Sequence, residues 1–123
     1  MRKLATLLTA FVALEHCAFA ALEMIFWQEP IGLRTFGMTA EQAATSAVLA
    51  ANQGLYNLFL VAGLVWSLLA NKRDVQVFFL LCVIVAGVFG GLTAKITILY
   101  TQALPALVAL IVVMLAGRAQ QSA

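Results

Sequence analysis

His16 and Glu23 lie seven positions apart in one apolar stretch, and Asn52, Gln53, Tyr56 and Asn57 fall within six positions of another. On a helix, a spacing of seven returns to the same face, so the imidazole and the carboxyl share a side. Asn52 and Tyr56 are spaced i,i+4, as are Gln53 and Asn57, which sets amides and phenol in two adjoining stripes. Amide side chains offer both donors and acceptors. An imidazole titrates near neutral pH, and Glu23 is its natural counter-ion. Such a set can hold a small polar molecule or an ion. Gln102 and Tyr100 extend the polar character to a later apolar run, and Trp27, Tyr56 and Tyr100 supply aromatic walls. Glu15 stands about 100° around the helix from His16 and so belongs to a different face.

General acid–base chemistry needs a tighter arrangement. His16 and Glu23 are separated by about 10.5 Å along a helix axis and cannot bond without water or an intermediary. No serine or cysteine nucleophile stands beside His16, since Cys17 points about 100° away. One histidine can ligate a haem axially, but a two-histidine site requires a second subunit. A structural zinc site takes about four ligands, which one histidine with Cys17 and Cys82 does not supply. No metal site is expected, and no cofactor is specified. An intramembrane enzyme or cofactor-binding protein built on His16 and Glu23 stands as an alternative.

These groups sit in a chain of 123 residues, 64% hydrophobic and 10% charged. Soluble domains hold about 45–50% apolar and about 25% charged residues. The length allows one domain, and no soluble core of that size hides so much apolar surface. A bilayer is therefore the expected solvent. The net charge of +2 gives no reason to expect a nucleic-acid partner. Four apolar runs, at 4–27, 43–70, 75–93 and 96–116, each approach or exceed the length of about 20 residues that a membrane-crossing helix needs. Backbone groups in lipid must be satisfied internally, so the runs are expected to be helices. The expected fold is all-α, an integral membrane four-helix bundle.

Basic residues set the orientation. Arg2, Lys3, Lys72, Arg73 and Arg118 fall on the side of the termini, and only Arg34 and Lys95 on the other. Positive charge collects on the cytoplasmic side, so both termini are expected inside, as in a multi-pass protein of the inner (plasma) membrane. The opening MRKLATLLTAFVALEHCAFA resembles a signal peptide with an A-x-A site at Ala18–Ala20. The apolar character continues through Leu22, Met24, Ile25, Phe26 and Trp27, however, which favours a retained first helix. Thr39 and Gln42 form a capping-box pair at the start of the second run, with Glu41 in its first turn. Trp27 and Phe36 suit an interfacial anchor. Gly87 and Gly91 make a GxxxG pair that serves close packing inside the bundle or a homo-oligomer face.

Placed by helical rise, Glu15, His16, Tyr56 and Asn57 fall near the middle of the expected bilayer, and Glu23, Asn52, Gln53, Tyr100 and Gln102 fall in its outer half. Turned inward, they would satisfy one another and line a cavity opening beneath the first loop. Binding of a small polar ligand or ion there is the leading expectation, and transport would require more than one copy. The plainer alternative is that the wedge only fixes helix packing, through interhelical hydrogen bonds of about 0.6–2 kcal/mol each, in a structural or partner-interaction protein.

The pattern His16-x-x-Phe19-x-x-Leu22-Glu23-Met24, Trp27, Phe36-Gly37 and Asn52-Gln53-Gly54-Leu55-Tyr56-Asn57-x-Phe59-Leu60, with Ala86-Gly87 and Gln102-x-x-Pro105-Ala106 further on, resembles the domain-of-unknown-function-1304 family of small bacterial membrane proteins. The likeness covers nearly the whole chain, and NQGLYN is its most specific piece. Leu58 and Val61 depart from the family pattern, which usually has Gly and often Ala at those places. The resemblance implies a four-helix inner-membrane protein and marks His16, Glu23, Asn52, Gln53, Tyr56 and Asn57. It brings no established activity.

Overall fold

A computed structural model describes residues 1–121. Helix α1 spans Arg2–Met24, α2 Pro30–Phe36, α3 Ala40–Leu69, α4 Arg73–Thr93 and α5 Leu104–Gln121, and a π-helical turn at Leu99–Ala103 leads directly into α5. No strand occurs among the described residues. Four helices, Arg2–Met24, Ala40–Leu69, Arg73–Thr93 and Leu99–Arg118, are long and apolar enough to cross a membrane.

Local chemistry explains where each helix starts and stops. No glycine or proline interrupts Arg2–Met24, and leucine and alanine dominate it, which suits an unbroken helix. It ends three residues before Trp27, where the expected run had ended, because the chain turns at Phe26–Glu29 to enter α2. Pro30 opens α2, its missing N–H being one the first turn could not have used. Gly37, at φ 66°, closes that helix in the left-handed region, and Met38 N–H donates to the Leu33 carbonyl at 3.0 Å. The expected capping box is present. Thr39 Oγ1 accepts from Gln42 N–H at 3.2 Å, and Gln42 Oε1 accepts from Thr39 N–H at 2.9 Å. At the far end of α3, Asn71 takes φ 53°. Asn71 N–H then reaches the Leu68 carbonyl at 3.3 Å, and Lys72 N–H the Ser67 carbonyl at 2.9 Å. That pair of bonds is a Schellman ending, with asparagine in the place glycine usually takes.

Packing arranges the long helices in a ring, each beside its successor in the chain, with α5 closing back on α1. Short connections make successive neighbours antiparallel. A core of Val12, Leu64, Leu80, Val83, Ala106, Ala109 and Val113 fills the centre. Small residues bring α4 and the last helix together. A Cβ added at Gly87 would lie 2.7 Å from the backbone nitrogen of Ala103, and one at Gly91 would strike Leu99. The Gly87/Gly91 pair, expected to serve close packing inside the bundle or a homo-oligomer face, packs against the chain's own π turn.

That π turn has a simple cause. Pro105 has no N–H to give the carbonyl four residues back, and its ring crowds that carbonyl. The preceding turn widens, and Leu104 N–H bonds instead to Leu99 five residues earlier.

The outer surface of the bundle is apolar. Leu7 is 67% exposed, Val48 82% and Leu92 75%. Contiguous exposure of this kind is foreign to a soluble monomer.

Replacing Gly87 by leucine is expected to lower stability by about 1–3 kcal/mol through overpacking against Ala103. A drop in unfolding temperature in uncharged detergent reads this out. Val85→Leu, at an outward-facing position, should leave that temperature unchanged.

Candidate functional site

His16, in the middle of α1, has no exposure to solvent at all. Its ring meets Phe19 edge-on at 5.4 Å between centroids. Nδ1 donates to the Val12 carbonyl, one turn back, at 2.8 Å. Nε2 is buried without a hydrogen-bond partner. Glu15, half-buried one position earlier, also has a buried oxygen, Oε2, without a partner.

Two turns along the same face, Glu23 reaches α3. Asn57 Nδ2 donates to Glu23 Oε2 at 2.7 Å, and Asn57 itself is 5% exposed. The backbone makes this bond possible. One turn away on α3, Gly54 has no side chain where Met24 lies across it, and a Cβ there would sit 3.3 Å from the Ala20 carbonyl oxygen. Close approach at Gly54 and Ala20 brings the next pair, Asn57 and Glu23, within hydrogen-bond reach. α3 is the helix on which α1 packs most extensively.

The rest of the expected wedge does not turn inward as a unit. Asn52 and Gln53 are exposed, and Tyr56 is 51% exposed with its ring 6.0 Å from that of Phe59. Helix geometry gives the reason. With Asn57 aimed at α1, Tyr56 lies about 100° away and Asn52 about 140° away, so the stripe is wider than the contact. Only Gln53, about 40° from Asn57, stays near its edge. On the π turn, Gln102 is half-buried and Tyr100 faces outward. Leu58 also faces outward, so its bulk does not narrow the contact between α1 and α3.

Trp27 works one layer further toward the first loop. Its Nε1 donates to Ser46 Oγ at 3.1 Å, and its ring lies 4.6 Å from that of Phe36. Trp27 thereby ties the α1–α2 turn to α3. Gly32 lies against the carbonyls of Phe26 and Trp27 and admits α2 to this corner. Among the described residues no three histidine, cysteine, aspartate or glutamate side chains gather to hold a metal.

A polar cleft of about 140 Å³ opens at the opposite end of the bundle from Glu23 and Asn57. Arg2, Ser67, Asn71, Arg73, Gln76 and Gly117 help to line it. None of the sequence-derived candidates does. Beneath it, Gln76 Nε2 donates to the buried Thr9 Oγ1 at 2.7 Å, joining α4 to α1 across the ring. The isolated Gln76 and Thr9 in apolar runs were the available signal for this end, along with two arginines read only for orientation.

The Glu23–Asn57 bond should show a measurable coupling. In a double-mutant cycle of Glu23→Gln and Asn57→Ala, thermal unfolding in detergent is expected to give an interaction energy of about 0.6–2 kcal/mol. A cycle of Glu23→Gln with Asn52→Ala, on the outward face, should give none.

Comparison with known proteins identifies the family of the chain. No solved structure matches the chain. The chain is 30% identical over 115 residues to the "Uncharacterized protein YpaA" of Lactococcus lactis subsp. lactis (strain IL1403), covering 90% of this chain and 97% of that relative. The model of the family described as "Protein of unknown function (DUF1304)" matches residues 10–114. The candidate residues His16, Glu23, Asn52, Gln53, Tyr56, Asn57 and Gln102 all lie inside that match, and the chain belongs to the DUF1304 family.

Proposed function

We propose that this protein is a multi-pass protein of the cell's inner (plasma) membrane, with both termini in the cytoplasm, and that it binds a small polar molecule or ion at His16, Glu23 and Asn57. Four helices long and apolar enough to span support the membrane reading. The excess of Arg2, Lys3, Lys72, Arg73 and Arg118 over Arg34 and Lys95 supports the orientation. One observation carries the binding reading: His16 is fully buried and its Nε2 has no partner. A buried polar atom left unsatisfied costs about 1–3 kcal/mol. A ligand atom that meets this nitrogen removes that cost. Glu23, already oriented by Asn57, lies on the same face toward the first loop.

A second reading is favoured by the outward face of α3. Asn52, Gln53 and Tyr56 are exposed there, between what would be the middle of the bilayer and its outer half. Amides facing lipid gain from any partner that offers donors and acceptors. A second copy of the chain offers the same amides in return. On this reading the protein is an assembly component, and the polar stripe is its contact.

Native mass spectrometry from mild, uncharged detergent separates the two. A stoichiometric small species present in the wild type and lost in His16→Ala is the expected result for binding. If the wild type carries no such species, the binding reading fails. A dimer that dissociates in the Asn52→Leu/Gln53→Leu double variant would establish the assembly reading.

The orientation has its own test. A fluorescent reporter fused at the C-terminus should fold and fluoresce, because it stays in the cytoplasm. An alkaline phosphatase fused after Gly37 should be active, because it lies outside. The reverse pattern would invert the topology.

A further inference from the structure

The cleft at the terminal end of the bundle has no part in the reading above, and its chemistry is one-sided. Two guanidinium groups, of Arg2 and Arg73, line it. No aspartate or glutamate does so among the described residues. The nearest acid in sequence, Asp74, faces a separate shallow surface beside Trp66 and Phe78. Two helices begin here, since Arg2 and Arg73 are the first residues of α1 and α4. Neither helix start has a side-chain cap. The first N–H groups of both helices and the positive ends of their dipoles therefore add to the charge of the two arginines.

The arginines are held in place. Arg2 Nη2 donates to Asn71 Oδ1 at 2.9 Å. That oxygen is placed by the left-handed backbone of Asn71. Arg73 Nη2 donates to the Met114 carbonyl at 3.3 Å, and its guanidinium lies on the bare Cα of Gly117. Arg73 Nε is buried with no hydrogen-bond partner. Ser67 and Gln76 add a hydroxyl and an amide to the wall. A guanidinium has five donors in a planar fork, and the bonds just given leave donors over on both arginines. The arrangement is a cradle of donors around about 140 Å³, with no anion of its own.

We propose that this cleft binds a phosphate group, with Arg2 and Arg73 as its charged contacts. Paired arginines recognise phosphate because the fork matches two of its oxygens. The phosphate can belong to a free anion or to the headgroup of an anionic lipid, since the cleft lies at a bundle end where headgroups meet the protein. Snorkelling arginines alone would leave the guanidinium in water. Here Arg73 is instead drawn over Gly117 with its Nε buried.

The test uses the full chain in dodecyl maltoside, with melting temperature and native mass spectrometry as readouts. Inorganic phosphate and short-chain phosphatidylglycerol are added separately, with short-chain phosphatidylcholine as the zwitterionic comparator of zero net charge. Wild type is compared with Arg2→Gln, Arg73→Gln and Arg34→Gln, the last removing an equal charge at the other end. One phosphate-bearing species per chain is expected to bind the wild type and to raise its melting temperature. Affinity should fall about tenfold or more in Arg2→Gln and Arg73→Gln, and stay unchanged in Arg34→Gln. Response to inorganic phosphate identifies a free anion, and response to phosphatidylglycerol alone identifies a lipid headgroup. Arg2 is an exposed residue at the chain start, so its variant reports even where Arg73→Gln does not fold. No response to either probe, or equal weakening in all three variants, overturns the proposal. The His16→Ala variant should bind as the wild type does, which keeps this result separate from the reading of the His16 site.

Discussion

A carboxyl group and an imidazole placed on an apolar helix have to be met by something, and α1 meets them unequally. Glu23 finds Asn57 at 2.7 Å. His16 finds only the carbonyl of its own helix, at Val12, and keeps an unpartnered Nε2. The first arrangement locks the register of α1 against α3, because Asn57 can reach Glu23 only where Gly54 and Ala20 let the backbones close. Sliding one helix by a turn would move the donor about 5.4 Å and strand the carboxylate. Rotating α3 to turn Tyr56 or Asn52 inward would do the same. The outward position of those two side chains is thus a consequence of the Glu23–Asn57 bond.

The other half of the ring depends on absence of side chains. Gly87 accommodates Ala103, and Gly91 accommodates Leu99. Both contacts fall on the π turn that Pro105 imposes. A regular helix would present a different set of side chains, since widening the turn shifts every later residue around the axis. The proline, the π turn and the glycine pair are therefore one feature. It orients Ala106, Ala109 and Val113 toward the core, and fixes that Met114 and Gly117 of α5 lie beside Arg73.

Much of this was legible in the residues. Four long helices follow from the length and apolarity of the runs, and the start of α3 follows from Thr39 and Gln42. The inward placement of His16, Glu23 and Asn57 followed from the cost of placing such groups in an apolar run. Periodicity could place Asn52, Gln53, Tyr56 and Asn57 on stripes, but it fixes only relative angles. The absolute rotation of α3 is set by its neighbours, and that decided which stripe was buried. Short α2 is not legible as a helix in the sequence, because seven residues give too few turns to show a period. The π turn was hidden because Pro105 marks a disturbance without saying which kind. The cleft at Arg2 and Arg73 was missed for a different reason. Its residues come from four helices and a turn, and the arginines were already accounted for as topology signals.

The polar groups at the two ends of the bundle do not form a continuous path. Between Thr9 and His16, α1 buries Val12 and Ala13, and these pack with Leu64, Leu80 and Val83 from α3 and α4. Leu64, Leu80, Val12 and Val83 have no exposure. An ion leaving His16 toward Gln76 would have to cross this layer with no donor or acceptor to replace its hydration, and the cost of such desolvation is many kcal/mol. In a single bundle of this arrangement the apolar layer therefore keeps the two proposed sites apart. Movement of a solute from one end to the other would require either a second copy, bringing Asn52, Gln53 and Tyr56 to a shared polar seam, or a rearrangement that parts α1 from α4. The Gln76–Thr9 bond opposes that rearrangement. It joins those two helices directly, at the edge of the apolar layer nearer Arg2 and Arg73.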